Sequence, residues 1–206
     1  RGDRALVIAT GQFGLDWAGS ARAMGIEVEV LDFGKSSPPD MNRIEAVLRA
    51  DTAGRIKAVL TTQVDTASTI RTDITALRAA MDAAGHPALL AVDCIASLGC
   101  DEYHMDAWGV DVTVSASQKG LMMPPGMGFV WFSEKARAAT KDSDLRSPYW
   151  NWAPRADASA FWQYWAGTAP TQQLYGLREA LSMLHSEGLP QVWARHDALA
   201  RTVWAA

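Results

Sequence analysis

The chain has 206 residues, 49% hydrophobic and 20% charged, a globular composition with enough apolar side chain for one large core or two modest ones. A formal net charge of −4 without a basic run argues against a nucleic-acid or anionic-membrane surface, and no apolar run approaches the roughly 20 residues that span a bilayer. Two cysteines, Cys94 and Cys100, make neither a disulfide framework nor a four-ligand metal site, so small molecules or protein are the expected partners and a reducing, cytoplasmic setting the expected location.

Apolar runs of four to eight residues alternate with amphipathic stretches, which predicts an α/β fold with a mostly parallel sheet and helices on both faces. Strands are expected at 5–9, 27–32, 58–62, 88–93, 112–115 and 128–132, and helices at about 15–24, 40–50, 73–84 and 133–140. Asp40 and Asp73 stand where N-caps belong, and Gly85 where a C-cap belongs. The turn Pro124-Pro-Gly126 before strand 128–132 is too short for a helical crossover, so that strand should run antiparallel to its predecessor. Residues 142–170 hold Pro, Trp, Tyr and Asn without periodicity and read as a long structured loop, since a linker would not carry this aromatic load. Helices resume at about 171–186 and again from 189. The start Arg-Gly-Asp and a stop within a helical pattern at 202–206 predict a piece of a longer chain.

Ligands of parallel α/β sheets sit off the carboxyl ends of the strands, so the polar residues there are the candidates. The first strand is followed by Thr10-Gly-Gln-Phe-Gly14, whose glycines allow close backbone approach and whose Phe13 is either a core residue or a platform for a flat ring. The third ends in Thr61-Thr-Gln-Val-Asp-Thr-Ala-Ser-Thr69, a run of hydroxyls suited either to a polar ligand or to capping the helix near Asp73. The fourth ends in Asp93, a carboxylate closing an apolar strand; such a group satisfies backbone amides or faces a cation.

The fifth strand leads into Ser115-Ala-Ser-Gln-Lys119. Between residues 107 and 132 the charged side chains are Asp111 and Lys119. An isolated lysine in apolar surroundings either snorkels to water or is held for chemistry, because burial makes its amine nucleophilic. A Ser-x-x-Lys pair would need serine at Ala116, and a Walker phosphate loop would need glycines at Thr113 and Gln118. A lysine available for imine chemistry remains. His86, His104, His185 and His196 lack metal-ligand spacing and read as structural.

Asp93, Lys119 in its Ser-Gln-Lys-Gly context and Pro124-Pro-Gly126, in this order with Thr10-Gly-Gln-Phe-Gly14 before them and Leu174-Tyr-Gly-Leu-Arg-Glu-Ala-Leu181 after, resemble the class V aminotransferases that use pyridoxal 5'-phosphate, especially the alanine, serine and aspartate glyoxylate group. The resemblance implies the large domain of a fold-type I enzyme over residues 1–187 and the start of a smaller domain over 188–206. It makes Lys119 the Schiff-base lysine and Asp93 the partner of the pyridine nitrogen. Phe13 and Ile95 would flank the ring, Thr66 and Gln118 would bond the cofactor, and Thr168 would reach the phosphate of a neighbouring subunit, which implies a homodimer. Thr69 replaces a glycine common in the family, and Trp165 stands where some relatives have a tyrosine. The resemblance also puts the main phosphate loop before Arg1 and the substrate-carboxylate arginine after Ala206, so these residues alone are expected to hold cofactor poorly and not to turn over. Transamination between a small amino acid and glyoxylate or a similar 2-oxo acid is the expected activity, with the aromatic segment 149–165 narrowing the pocket. The rivals are a lyase or cysteine desulfurase of the same fold, and a noncatalytic dimerisation or nucleotide-binding module.

Overall fold

The computed structural model describes residues 2–145, 147–165 and 167–206. Arg1, Arg146 in the aromatic segment and Ala166 beside Thr168 lie outside the described residues.

Strand β1 (Arg4–Ala9) carries Leu6, Val7, Ile8 and Ala9 in full burial, as expected of a central parallel strand covered on both faces. It pairs in parallel with β2 (Glu27–Asp32) on one side and β3 (Ile56–Thr62) on the other. Edge strand β2 is held by Arg4, which grips Glu27 and Glu29, while Arg55 also reaches Glu27. The two-residue strands β4 (Val64–Asp65) and β5 (Ile70–Arg71) form a hairpin beyond β3. Strands β6 (Leu89–Asp93) and β7 (Val112–Ala116) extend the parallel sheet, and β8 (Gly128–Phe132) closes it antiparallel to β7. The order is β2-β1-β3-β6-β7-β8.

Helix α1 (Gln12–Ala23) precedes α2 (Met41–Ala50), α3 (Ile74–Ala83) and α4 (Glu134–Ala139). The side chains of Asp40, Asp73 and Ser133 cap the last three, accepting from Asn42, Ala76 and Ala136 N–H, and Gly85 at φ 63° ends α3. One core lies between α2, α3 and the sheet, built on Leu6, Ile8, Ile44, Leu48, Leu77, Met81 and Leu90.

The short helix α5 (Ala153–Ala156) and a 3₁₀ turn over Phe161–Trp165 interrupt the aromatic segment. Trp152 stacks on Phe132 at 5.3 Å and packs with Val112, Ala136 and Trp17, so this tryptophan serves the sheet's packing. Helices α6 (Thr171–Glu187) and α7 (Leu189–Trp204) meet at Gly188, whose φ of 86° favours glycine. No helix among the described residues is long and apolar enough to cross a membrane.

Two differences from the sequence pattern have physical causes. The β4–β5 hairpin is too short to leave a period. Helix α1 begins at Gln12, ahead of where its apolar periodicity starts, because a distant carboxylate caps it: Asp65 accepts the Gly14 N–H at 3.0 Å.

Candidate functional site

Parallel register brings the carboxyl ends of β1, β3, β6 and β7 to one edge. Thr62 lies beside Asp93, and Asp93 beside Val114, at the roughly 4.8 Å spacing of paired strands. Backbone bonds carry the alignment past the strand ends: Gln63 N–H donates to the Asp93 carbonyl at 2.9 Å, and Cys94 N–H to the Val114 carbonyl at 2.8 Å. Gln63 is fully used, its side chain accepting from Ser97 Oγ at 2.6 Å and donating to the Glu102 carbonyl at 2.9 Å. This ties the end of β3 to the loop that follows Asp93.

Asp93 is partly buried, and its carboxylate accepts one hydrogen bond, from Ile95 N–H to Oδ1 at 2.7 Å. Among the described residues no cation pairs with it. Burial pushes its carboxyl above the ordinary range, the Ile95 amide opposes this, and the negative charge of Asp65 adds to the rise. Thr10, just after β1, and Thr62, at the end of β3, are buried, and their hydroxyls have no hydrogen-bond partner among the described residues.

Lys119 is carried by a cinched loop. Ser117, fully buried, donates its hydroxyl to the Pro124 carbonyl at 2.7 Å and accepts from Met127 N–H at 3.3 Å. Its backbone bonds Met127 and Met123. Within the loop Met122 N–H closes a turn onto the Lys119 carbonyl at 2.8 Å, with Met122 at φ 58°. Leu121 and Met123 anchor the loop in apolar clusters with Leu184, Val192 and Ala180 of α6 and α7. The next contact fixes the lysine relative to Asp93. A Cβ on Gly120 would lie 2.3 Å from the Leu98 carbonyl oxygen and 2.8 Å from Cys100 Sγ, while one on Gly99, at φ 85°, would lie 3.0 Å from the Gly120 carbonyl oxygen. The segment after Asp93 and the segment bearing Lys119 thus touch backbone to backbone, as only glycine permits.

Lys119 itself is exposed and has no hydrogen-bond or ion-pair partner among the described residues. The burial that its apolar neighbours in sequence suggest is therefore absent: Leu121 and Met123 point into the core and the lysine points away. Gln118, next to it in the chain, and Thr66, in the turn between β4 and β5, are exposed, Ile95 is partly buried, and Phe13 is 48% exposed in the first turn of α1. Asp93 ends β6, and Ile95, Gln118, Lys119, Phe13 and Thr66 follow strands β6, β7, β1 and β4. Thr168 stands apart, exposed before α6, with no side-chain bond to the others. Its helix docks on the lysine loop through Gln173, which donates to the Pro125 carbonyl at 3.2 Å.

Two residues that sequence reasoning missed are built into the site. Asp65 is fully buried and grips Gly14 and Ala67; the signal was a carboxylate in an otherwise uncharged hydroxyl run. Ser117 stands in the sequence as one small polar residue among several before Lys119, with nothing to mark its burial. Cys94, by contrast, is fully buried, and its thiol is pushed up to about 12, chiefly by burial, which removes the thiolate that a nucleophile needs.

An exposed amine locked against a loop that presents an unpaired carboxylate, at the carboxyl edge of a parallel sheet, is the arrangement to compare with known proteins. The family model for Aminotransferase class-V matches residues 1–205. The chain belongs to the class V aminotransferases. Among curated relatives, it is 40% identical over 206 residues to a serine–glyoxylate aminotransferase of Methylorubrum extorquens, covering 97% of this chain and 50% of that one. It is 38% identical to an L-aspartate–glyoxylate aminotransferase of Paracoccus denitrificans, covering 100% and 52%. An alanine–glyoxylate aminotransferase from Nostoc sp. superposes with a TM-score of 0.88 at 26% identity, covering 98% of this chain and 53% of that one. The class V chain described here thus spans about half the length of the curated relatives it matches.

Proposed function

We propose that the protein containing these residues is a pyridoxal 5'-phosphate-dependent aminotransferase that moves an amino group from a small amino acid to glyoxylate or a related 2-oxo acid. The observation that carries this reading is Asp93, a partly buried carboxylate with one N–H donor and no cation among the described residues, which calls for a protonated ring nitrogen as its partner. The residues present fit such a group. Lys119 Nζ is exposed and unpaired beside the Asp93 loop, and the buried hydroxyls of Thr10 and Thr62 have no partner among the described residues.

Pyridoxal 5'-phosphate, when bound, supplies an aldehyde for an amine to condense with and a ring that accepts electrons. This chain's part is to hold and orient. Asp93 keeps the ring nitrogen protonated through charge. Phe13 and Ile95 would flank the ring and exclude water, while Thr66 and Gln118 would supply hydrogen bonds. Lys119 Nζ, exposed and without a partner among the described residues, would hold the cofactor and would move a proton at the substrate α-carbon. The names of the relatives support small amino donors and glyoxylate as acceptor.

In a homodimer Thr168 would reach the cofactor phosphate of the neighbouring subunit. Support for a second copy comes from exposed aromatic surface: Trp150 at 72%, Trp162 at 65% and Tyr175 at 73% exposure. Gly188 marks the start of the smaller domain. The compartment is the cytoplasm, in keeping with cysteines that are both free.

The test is direct. Full-length protein is incubated with pyridoxal 5'-phosphate, its visible absorption recorded, and the adduct reduced with borohydride and mapped. Label on Lys119, with 2-oxo acid formed from serine, alanine or aspartate in the presence of glyoxylate, is expected. Label elsewhere, or none, removes the assignment, and sulfide released from cysteine would favour a desulfurase.

A further inference from the structure

Asp65 caps a helix to which it does not belong. Helix α1 starts after Gly11, which has no side chain to satisfy the first N–H groups. Asp65, brought in by the β4–β5 hairpin, supplies the acceptor: its Oδ2 receives Gly14 N–H at 3.0 Å, across 51 residues of chain. A Cβ on Gly11 would fall 2.3 Å from Asp65 Oδ1, so the carboxylate fills the space where an ordinary N-cap side chain would stand. A negative charge there also suits the helix dipole. The second oxygen, Oδ1, receives Ala67 N–H at 3.0 Å, and the Asp65 carbonyl receives Ser68 and Thr69 N–H.

The two amides gripped by the side chain belong to the Phe13–Gly14 and Thr66–Ala67 peptides. One buried carboxylate therefore fixes both the peptide plane that follows Phe13 and the one that follows Thr66, although Phe13 opens α1 and Thr66 lies in the turn between β4 and β5. Its charge also reaches Asp93.

We infer that Asp65 is a positioning residue for cofactor binding, setting the separation and orientation of the Phe13 ring and the Thr66 hydroxyl so that both meet one flat ligand. This rests on the function proposed above, which gives Phe13 and Thr66 a ligand in common. A purely structural capping role would weaken the fold without coupling those two residues.

The experiment uses full-length protein and pyridoxal 5'-phosphate as the probe. Dissociation constants and melting temperatures are measured for Asp65→Asn, Phe13→Ala, Thr66→Ala and the two pairs that include Asp65→Asn. The amide keeps the size of aspartate but turns an NH2 toward one of the two peptides, releasing half the clamp. Asp65→Asn is expected to weaken cofactor binding at least tenfold. Phe13→Ala and Thr66→Ala are expected to cost several-fold less in the Asp65→Asn background than in wild type, the mark of shared action. Unchanged affinity in Asp65→Asn overturns the inference, and so do strictly additive effects. If Asp65→Asn does not fold, the smaller Asp65→Ser takes its place under the same criteria. Wild type that takes up no cofactor would instead overturn the proposed function, so the two failures are distinct.

Discussion

At the amino edge of the main sheet, carboxylates are tied down on every side. Asp51 receives the backbone N–H of Arg55 and Ile56 and the His86 ring at 3.2 Å, and Asp111 receives Ser133, Leu90 and Lys135. At the carboxyl edge Asp93 has one donor, Lys119 has no partner among the described residues, and the Thr10 and Thr62 hydroxyls are orphaned. Backbone strain divides the same way. The turns that lead into β2, β3, β6 and β7 place positive φ at Gly25, Gly54, Gly85 and Gly109, whereas the described non-glycine residues with positive φ, Thr69 and Met122, both stand in carboxyl-edge turns. One edge is optimised for stability and the other keeps groups unsatisfied at a stability cost, as binding sites do.

The largest test of this contrast is the contact that joins Lys119 to the Asp93 loop. Gly120→Ala would drive a methyl into the Leu98 carbonyl. About 3 kcal/mol of lost stability in a denaturant titration is expected, together with loss of the covalent label at Lys119.

Asp51→Ala should cost about 2 kcal/mol by stranding two backbone amides while leaving cofactor affinity unchanged. Burial raises the Asp51 carboxyl, but the amides of Ile56 and Arg55 and the His86 contact outweigh it, so its net position is below the ordinary range. A lowered carboxyl contributes stability that is present above its unfolded value of about 3.9 and is lost as pH falls through the folded one. The variant's stability should accordingly fall less steeply than wild type in acid below that value.

Asp93→Asn should do the reverse. A raised carboxyl contributes stability present below about pH 3.9 and lost as pH rises through its folded value, so at neutral pH the ionised group is a cost. The cofactor-free variant should be more stable by about 1 kcal/mol at pH 7, with the gain vanishing in acid, yet its turnover should fall roughly 100-fold or more. A variant that is both less stable and fully active would break the comparison between the edges.

The smallest effect belongs to Thr69→Gly. Relief of a β-branched residue at φ 61°, less the added chain entropy, should give about 0.5–1 kcal/mol. Melting temperature reads it, and no gain would mean that the hairpin tolerates threonine without strain.

Much of this was legible in the chain itself. The six main strands, the Asp40 and Asp73 caps, the antiparallel β8 and the placing of Asp93 at a strand end follow from apolar runs and turn chemistry, which act over a few residues. Lys119 and Asp93 stood out because each is a lone charge in apolar sequence. The exposure of Lys119 did not, since neighbours in sequence cannot say which way a loop residue faces. Nor did the packing role of Trp152, which depends on Phe132 across the fold.

The sequence by itself determined the alternation of strands and helices, because local propensity and burial period are properties of adjacent residues. Only the tertiary structure decided that Asp65 caps α1, that Gly120 lies against Leu98 and Cys100, and that Asp51 and Asp111 at one edge are multiply bonded while Asp93 at the other has one donor. Those outcomes rest on groups brought into contact across tens of residues, and the pairing of strands in the sheet sets that proximity where no spacing along the chain could encode it.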